Sequence, residues 1–99
     1  MEIRIRHEKE MIIEFVGRLD TVTSLELLDR LQKEEITEEL VIFDMKETEY
    51  ISSAGLRLLL SLKKDLAKIN KKLEIHNPNA VCLEVFKVTG FENILTIVK

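Results

Sequence analysis

Ile51-Ser52-Ser53-Ala54-Gly55-Leu56-Arg57-Leu58-Leu59-Leu60 decides how this chain is read. Two serines and a glycine stand where a polar loop gives way to a leucine-rich helix. From Gly55 the apolar positions Leu59, Leu62, Leu66 and Ile69 follow at helical spacing, a stripe that faces a core. Lys63, Lys64, Lys68 and Asn70 fall off that stripe, on the solvent side and at the helix end. Leu56 and Leu60 lie beside it, where they cover the core edge or form an apolar patch. A serine in a first helical turn sits among backbone N–H groups that have no partner inside the helix, a setting that accepts an anion.

Before this helix, Met1 to Arg6 alternates apolar and polar residues, the pattern of a half-buried strand. His7 to Glu10 is short and polar enough for a hairpin. Met11 to Val16 is a second, more continuously apolar strand, ended by Gly17. Asp20 is a helix N-cap, with a second capping box at Thr23 and Glu26. Leu25, Leu28 and Leu31 mark the inner face of a helix running to about Lys33. Glu34 to Glu39 is a charged connection. Leu40 to Phe43 reads as a central strand ending at Asp44, and Met45 to Tyr50 as a polar loop.

Beyond the long helix, Leu73 and Ile75 mark a fourth strand. Asn77-Pro78 restarts a helix, with the proline at or near its first position. Val81, Val85 and Val88 form its inner face, with Leu83 and Phe86 on the flanks. Gly90 stops it, and Ile94 to Val98 is a last strand. The order is β-β-α-β-α-β-α-β. It implies one α/β domain over residues 1–99, with a mixed, largely parallel sheet packed by helices and an antiparallel edge from the opening hairpin.

Ninety-nine residues suit a single core that needs no staples. A net charge of −3, with basic residues dispersed, argues against nucleic acid. One cysteine, Cys82, excludes an internal disulfide and suits a reducing compartment. No apolar run approaches the ~20 residues that span a bilayer. The expectation is a cytoplasmic domain without membrane insertion.

Other chemistries find little support. His7 and His76 lie at the ends of separate strands, and no His/Cys/Asp set has metal-ligand spacing. Cys82 has no neighbouring histidine to activate it. The three glycines, at 17, 55 and 90, form no phosphate loop. No catalytic residue, cofactor or metal is expected. Asp20, Asp44, Glu47 and Glu49 are able to gather at the carboxyl end of the sheet, where a Mg²⁺ held by Asp20 and Asp44 beside Ser53 is the enzymatic alternative. The plainer reading is a capping Asp20 and solvated glutamates.

The chain resembles the STAS domain, the family of bacterial anti-sigma factor antagonists. The matching residues are Gly17-Arg18-Leu19-Asp20, Val41-Ile42-Phe43-Asp44, Tyr50-Ile51-Ser52-Ser53-Ala54-Gly55-Leu56, Asn77-Pro78 and Val88-Thr89-Gly90-Phe91. They cover essentially the whole chain in one element order. The resemblance implies that Ser53, two residues before Gly55, accepts a phosphate from a partner anti-sigma factor with serine kinase activity. A PP2C-type phosphatase would remove it. The unphosphorylated form would bind the partner and free the sigma factor. Asp20, Ser52, Ala54, Gly55, Leu56 and Arg57 are the expected partner-binding residues, with Arg57 four residues after Ser53 and placed to meet the phosphate. By resemblance the chain is a kinase substrate and not an enzyme. The same fold also serves as a subunit of lipid-transport ATPases and of stressosome-type complexes, where binding needs no phosphoryl switch.

Overall fold

The computed structural model describes all residues from Met1 to Lys99. Strands β1 (Glu2–His7) and β2 (Met11–Leu19) form an antiparallel hairpin, with Ile3 opposite Phe15 and Ile5 opposite Ile13. Helix α1 (Thr21–Gln32) leads to β3 (Leu40–Asp44), β4 (Thr48–Ile51) and helix α2 (Ser53–Lys68). Strand β5 (Lys72–His76), helix α3 (Ala80–Val88), a single 3-10 turn (Phe91–Asn93) and β6 (Thr96–Val98) complete the chain.

The sheet runs β1-β2-β3-β5-β6, and every pairing beyond the opening hairpin is parallel. One face carries Met11, Ile13, Phe15, Val41, Phe43, Leu73 and Ile75, all buried. The rings of Phe15 and Phe43 stack there, with centroids 6.5 Å apart. Helix α1 packs on β2, α2 on β4 and β5, and α3 on β4. The alternate positions Ile12, Ile42 and Glu74 are only half-buried. On that side Glu14 is shielded by Arg4 and Arg6, which both donate to its carboxylate.

Gly17 does not end β2, contrary to the sequence expectation. Its φ of +108°, strained for any residue with a side chain, produces a register shift inside the strand. Strand β2 pairs with β3 through Met11 to Glu14 and with β4 through Gly17 to Leu19, and the shift lies within that second pairing, where Gly17 faces Thr48 and Arg18 faces Tyr50. The stretch read as a polar loop therefore contains β4. Polar residues hide its periodicity, but Thr48 and Ile51 are buried, and the Thr48 hydroxyl donates to the Phe15 carbonyl at 2.7 Å.

Two helix faces are rotated from their expected settings. In α1 the buried set is Ser24, Leu27 and Leu31, while Leu25 is 65% exposed and Leu28 39%. The capping box pairs Asp20 with Thr23 and leaves Glu26 in solvent. In α3 the cap is Asn79 rather than the Asn77-Pro78 pair; its Oδ1 accepts from the Cys82 N–H at 2.8 Å. That start turns Cys82 and Phe86 inward and leaves Val81 and Val88 in solvent. The Asn79 amide also donates to the Thr48 and Glu49 carbonyls, fixing α3 against β4. The last strand is shorter than expected because Phe91–Asn93 turns before it.

Candidate functional site

The candidate site is the corner where β2 and β4 end side by side and α1 and α2 both begin. Leu19 pairs with Ile51, and the Ser52 N–H donates to the Leu19 carbonyl at 2.9 Å. The chain turns at once into a helix after each strand, so the N-caps Asp20 and Ser52 are neighbours. Parallel α/β sheets place binding sites at such carboxyl ends, where helix N-termini point outward with unpaired N–H groups.

Asp20 is the better anchored cap. Its Oδ1 accepts from the Val22 and Thr23 N–H groups, both at 3.1 Å. The Thr23 hydroxyl accepts from the Asp20 N–H at 2.8 Å and donates to the Arg18 carbonyl at 2.6 Å. The Thr23 N–H bond, which favours the charged carboxylate, holds Asp20 below the usual carboxylate range. Asp20 is half-buried.

Ser52 and Ser53 have different jobs. The Ser52 Oγ accepts from the Gly55 N–H at 3.3 Å and its carbonyl from the Leu56 N–H at 2.9 Å, so this serine is occupied in capping. Ser53 is the first helical residue; it is exposed and its hydroxyl has no hydrogen-bond partner in the protein. Arg57, one turn later, is also exposed and engages no carboxylate. Ala54 is half-buried.

Gly55 and Leu56 are buried and lie under this surface. A β-carbon on Gly55 would stand 2.7 Å from Ile51 Cγ1 and 2.9 Å from the Leu19 carbonyl oxygen. Only glycine lets α2 start this close to the ends of β2 and β4. Leu56, with 4% exposure, belongs to the core edge and forms no surface patch. One neighbour of the corner escaped the sequence reading: the Arg18 guanidinium lies 4.6 Å above the Tyr50 ring. Recognising β4 would have paired those two residues.

The acidic residues do not gather. Asp44 is in register with Glu14, which precedes Leu19 by roughly 16 Å of strand at ~3.3 Å per residue. Its Oδ1 accepts from the Lys46 N–H at 3.0 Å and the Asn77 amide at 3.2 Å. Glu47 pairs with Arg4 of β1 at 2.9 Å, and Glu49 is exposed on β4. Asp20 and Asp44 are thus too far apart to share a Mg²⁺ ion, and no three His, Cys, Asp or Glu side chains are placed to hold a metal. Both histidines contact carboxylates: His7 lies between Glu34 and Glu38, and His76 beside Glu74. Cys82 is fully buried, and burial pushes its thiol up to about 11.

A family model described as the STAS domain matches residues 2–99. The chain belongs to the STAS domain family. BtrV of Bordetella bronchiseptica, named as a candidate anti-sigma factor antagonist, is 35% identical to this STAS domain over 60 residues. The match takes in 61% of the STAS domain and 52% of BtrV, so it spans about half the length of that relative. Among solved structures, the unphosphorylated anti-sigma factor antagonist SpoIIAA superposes with a TM-score of 0.81 at 15% identity, over 99% of this chain and 89% of SpoIIAA. A candidate anti-sigma factor antagonist from Thermotoga maritima gives a TM-score of 0.82 at 15% identity, over 98% of this chain and 86% of its own. At such identities the likeness is one of fold, and function has to be argued from the site. No helix of this STAS domain is long and apolar enough to cross a membrane.

Proposed function

We propose that this STAS domain is a cytoplasmic anti-sigma factor antagonist whose hold on its partner is switched by phosphorylation of Ser53. The observation that carries the reading is the division of labour at the start of α2. Ser52 spends its oxygen on the cap, while the Ser53 hydroxyl is exposed and unbonded. The partner is an anti-sigma factor with serine kinase activity, and the domain is its substrate and not an enzyme. The Ser53 Oγ attacks the γ-phosphorus of ATP, the bond to the ADP oxygen breaks, and the hydroxyl proton leaves to a base of the kinase. A PP2C-type phosphatase returns the serine with water as the acceptor.

The switch acts on the interface and leaves the fold intact. A phosphate adds about −1.5 to −2 charges. The α2 N-terminus favours those charges by roughly 0.3–1 kcal/mol, and Arg57 one turn on is free to pair with them. Asp20, the neighbouring cap, opposes them through solvent that screens the repulsion. A partner packed over a neutral hydroxyl meets a hydrated dianion instead. A mismatch of about 3 kcal/mol lowers affinity about 100-fold. Ser53, Ala54 and Arg57 are the contact residues in this reading, Asp20 and Ser52 its edge, and Gly55 and Leu56 its support from below.

The test is to incubate the protein with ATP and an anti-sigma kinase encoded in the same genome, then to map the phosphopeptide. Label is expected on Ser53, retained in Ser52→Ala and absent in Ser53→Ala. Label on Ser52, or none with any such kinase, contradicts the assignment.

A further inference from the structure

A second surface lies along the helices, away from the strand ends. Leu28 and Leu31 of α1 face Leu58, Leu62 and Ile69 of α2 across an open cleft of about 210 Å³. Its floor, Leu31, Leu58 and Leu66, is core. Its mouth is apolar as well: Leu28 is 39% and Ile69 56% exposed, and Leu25 continues the α1 lip one turn earlier. Between Ser61 and Ile69 the cleft follows α2 for about 12 Å at ~1.5 Å per residue, two turns of a docked helix.

The charges on the two lips differ. Arg57, Lys64 and Lys68 recur at i, i+7 and i+11, which sets them on one ridge of α2 immediately outside Ser61 and Asp65. Lys68 shares Asp65 at 3.8 Å, whereas Arg57 and Lys64 engage no carboxylate. On the α1 lip Asp29 and Lys33 neutralise each other at 3.0 Å. The other arginines have partners: Arg4 and Arg6 hold Glu14, Arg18 covers Tyr50, and Arg30 points at the Ile3 carbonyl. An acidic chain thus keeps two cations free of carboxylates, Arg57 and Lys64, along one side of this apolar cleft.

We propose that the cleft between α1 and α2 binds an amphipathic helix of a partner protein, its apolar face on Leu28, Leu62 and Ile69 and an acidic flank along Arg57 and Lys64. Apolar burial supplies the attraction and the charged ridge sets the orientation. The two readings share Arg57, but the cleft is tested with peptides on the unphosphorylated chain, so the two fail separately.

The experiment titrates the ¹⁵N-labelled full chain with two synthetic amphipathic helices that share a leucine face and differ only in glutamate or lysine flanks. The glutamate peptide is expected to move amide resonances of α1 and α2 around Leu28, Leu62 and Ile69. The lysine peptide is expected to bind at least about tenfold more weakly, as is the glutamate peptide to Arg57→Glu/Lys64→Glu. Leu28→Gln should weaken both peptides. The charge-reversed pair is fully on the surface, so it remains informative if Leu28→Gln unfolds. Equal binding of the two peptides, shifts that fall outside α1 and α2, or no shifts with the glutamate peptide would overturn the proposal.

Discussion

Adjacent serines at the start of α2 have opposite consequences when changed. Ser52→Ala removes the oxygen that receives the Gly55 N–H and is expected to lower stability by about 1 kcal/mol. Ser53→Ala removes a hydroxyl with no partner and is expected to change stability by less than about 0.5 kcal/mol. Urea unfolding of the two variants separates these outcomes, and the reverse ranking would reassign the cap. Gly55→Ala pushes a methyl into the Ile51 side chain and the Leu19 carbonyl, at 2.7 and 2.9 Å. A loss of about 1–3 kcal/mol is expected in the same assay; unchanged stability would mean that α2 shifts freely on the strand ends. The sequence made this corner legible as a helix start, because two serines before a leucine stripe have few other uses. The residues by themselves did not tell the capping serine from the free one, although the family resemblance pointed to Ser53 as the acceptor and Ser52 as a cap or contact. That distinction rests on the backbone angles of Ser52, extended at φ −93° and ψ 176°, which carry its oxygen back over the first turn.

Elements were easier to recognise than to orient. The α2 stripe was plain, and Leu59 and Leu66 are buried as its spacing implies, although Ile69 at the C-cap is exposed. In α1 the leucines at 25, 27, 28 and 31 fit more than one face, and the capping geometry at Asp20 decides among them. It selects the face with Ser24, whose buried hydroxyl lacks a hydrogen-bond partner. Ser24→Ala is therefore expected to be neutral or to stabilise the protein by up to about 1 kcal/mol, through relief of desolvation and better helix propensity. A clear loss of stability on thermal or urea unfolding would show that the hydroxyl is bonded. Strand β4 was missed for a different reason. It has four residues, with only Thr48 and Ile51 buried, and it pairs with β2 after that strand has changed partner from β3. No local pattern encodes that exchange.

Across the whole molecule, ionic contacts tie together segments that are distant in sequence, and they set its response to pH. His7 of β1 contacts Glu34 at 3.1 Å and Glu38 at 2.8 Å, fastening the connection after α1 to the hairpin. Only the imidazolium donates from both ring nitrogens, and the Glu34 contact foremost raises the His7 pKa above its ordinary value of 6.5. A raised value means stabilisation that is complete below about pH 6.5 and lost as pH climbs past the folded-state value. His7→Gln should flatten the melting temperature across that alkaline limb, and an unchanged limb would remove His7 from the account. Asp20 and Glu14 act in the opposite sense. Thr23 and Arg6 respectively hold their pKa values low, so their contributions stand above the ordinary carboxylate range and vanish as acid protonates them. The domain should therefore be most stable in mildly acidic solution. The central claim is that a fold robust in this way carries a switch that changes its surface alone. It is tested most directly by measuring kinase affinity and melting temperature for the chain before and after stoichiometric phosphorylation of Ser53. The account predicts an affinity loss of about 100-fold with the melting temperature nearly unchanged. Undiminished affinity, or a domain that melts far lower once phosphorylated, would contradict it.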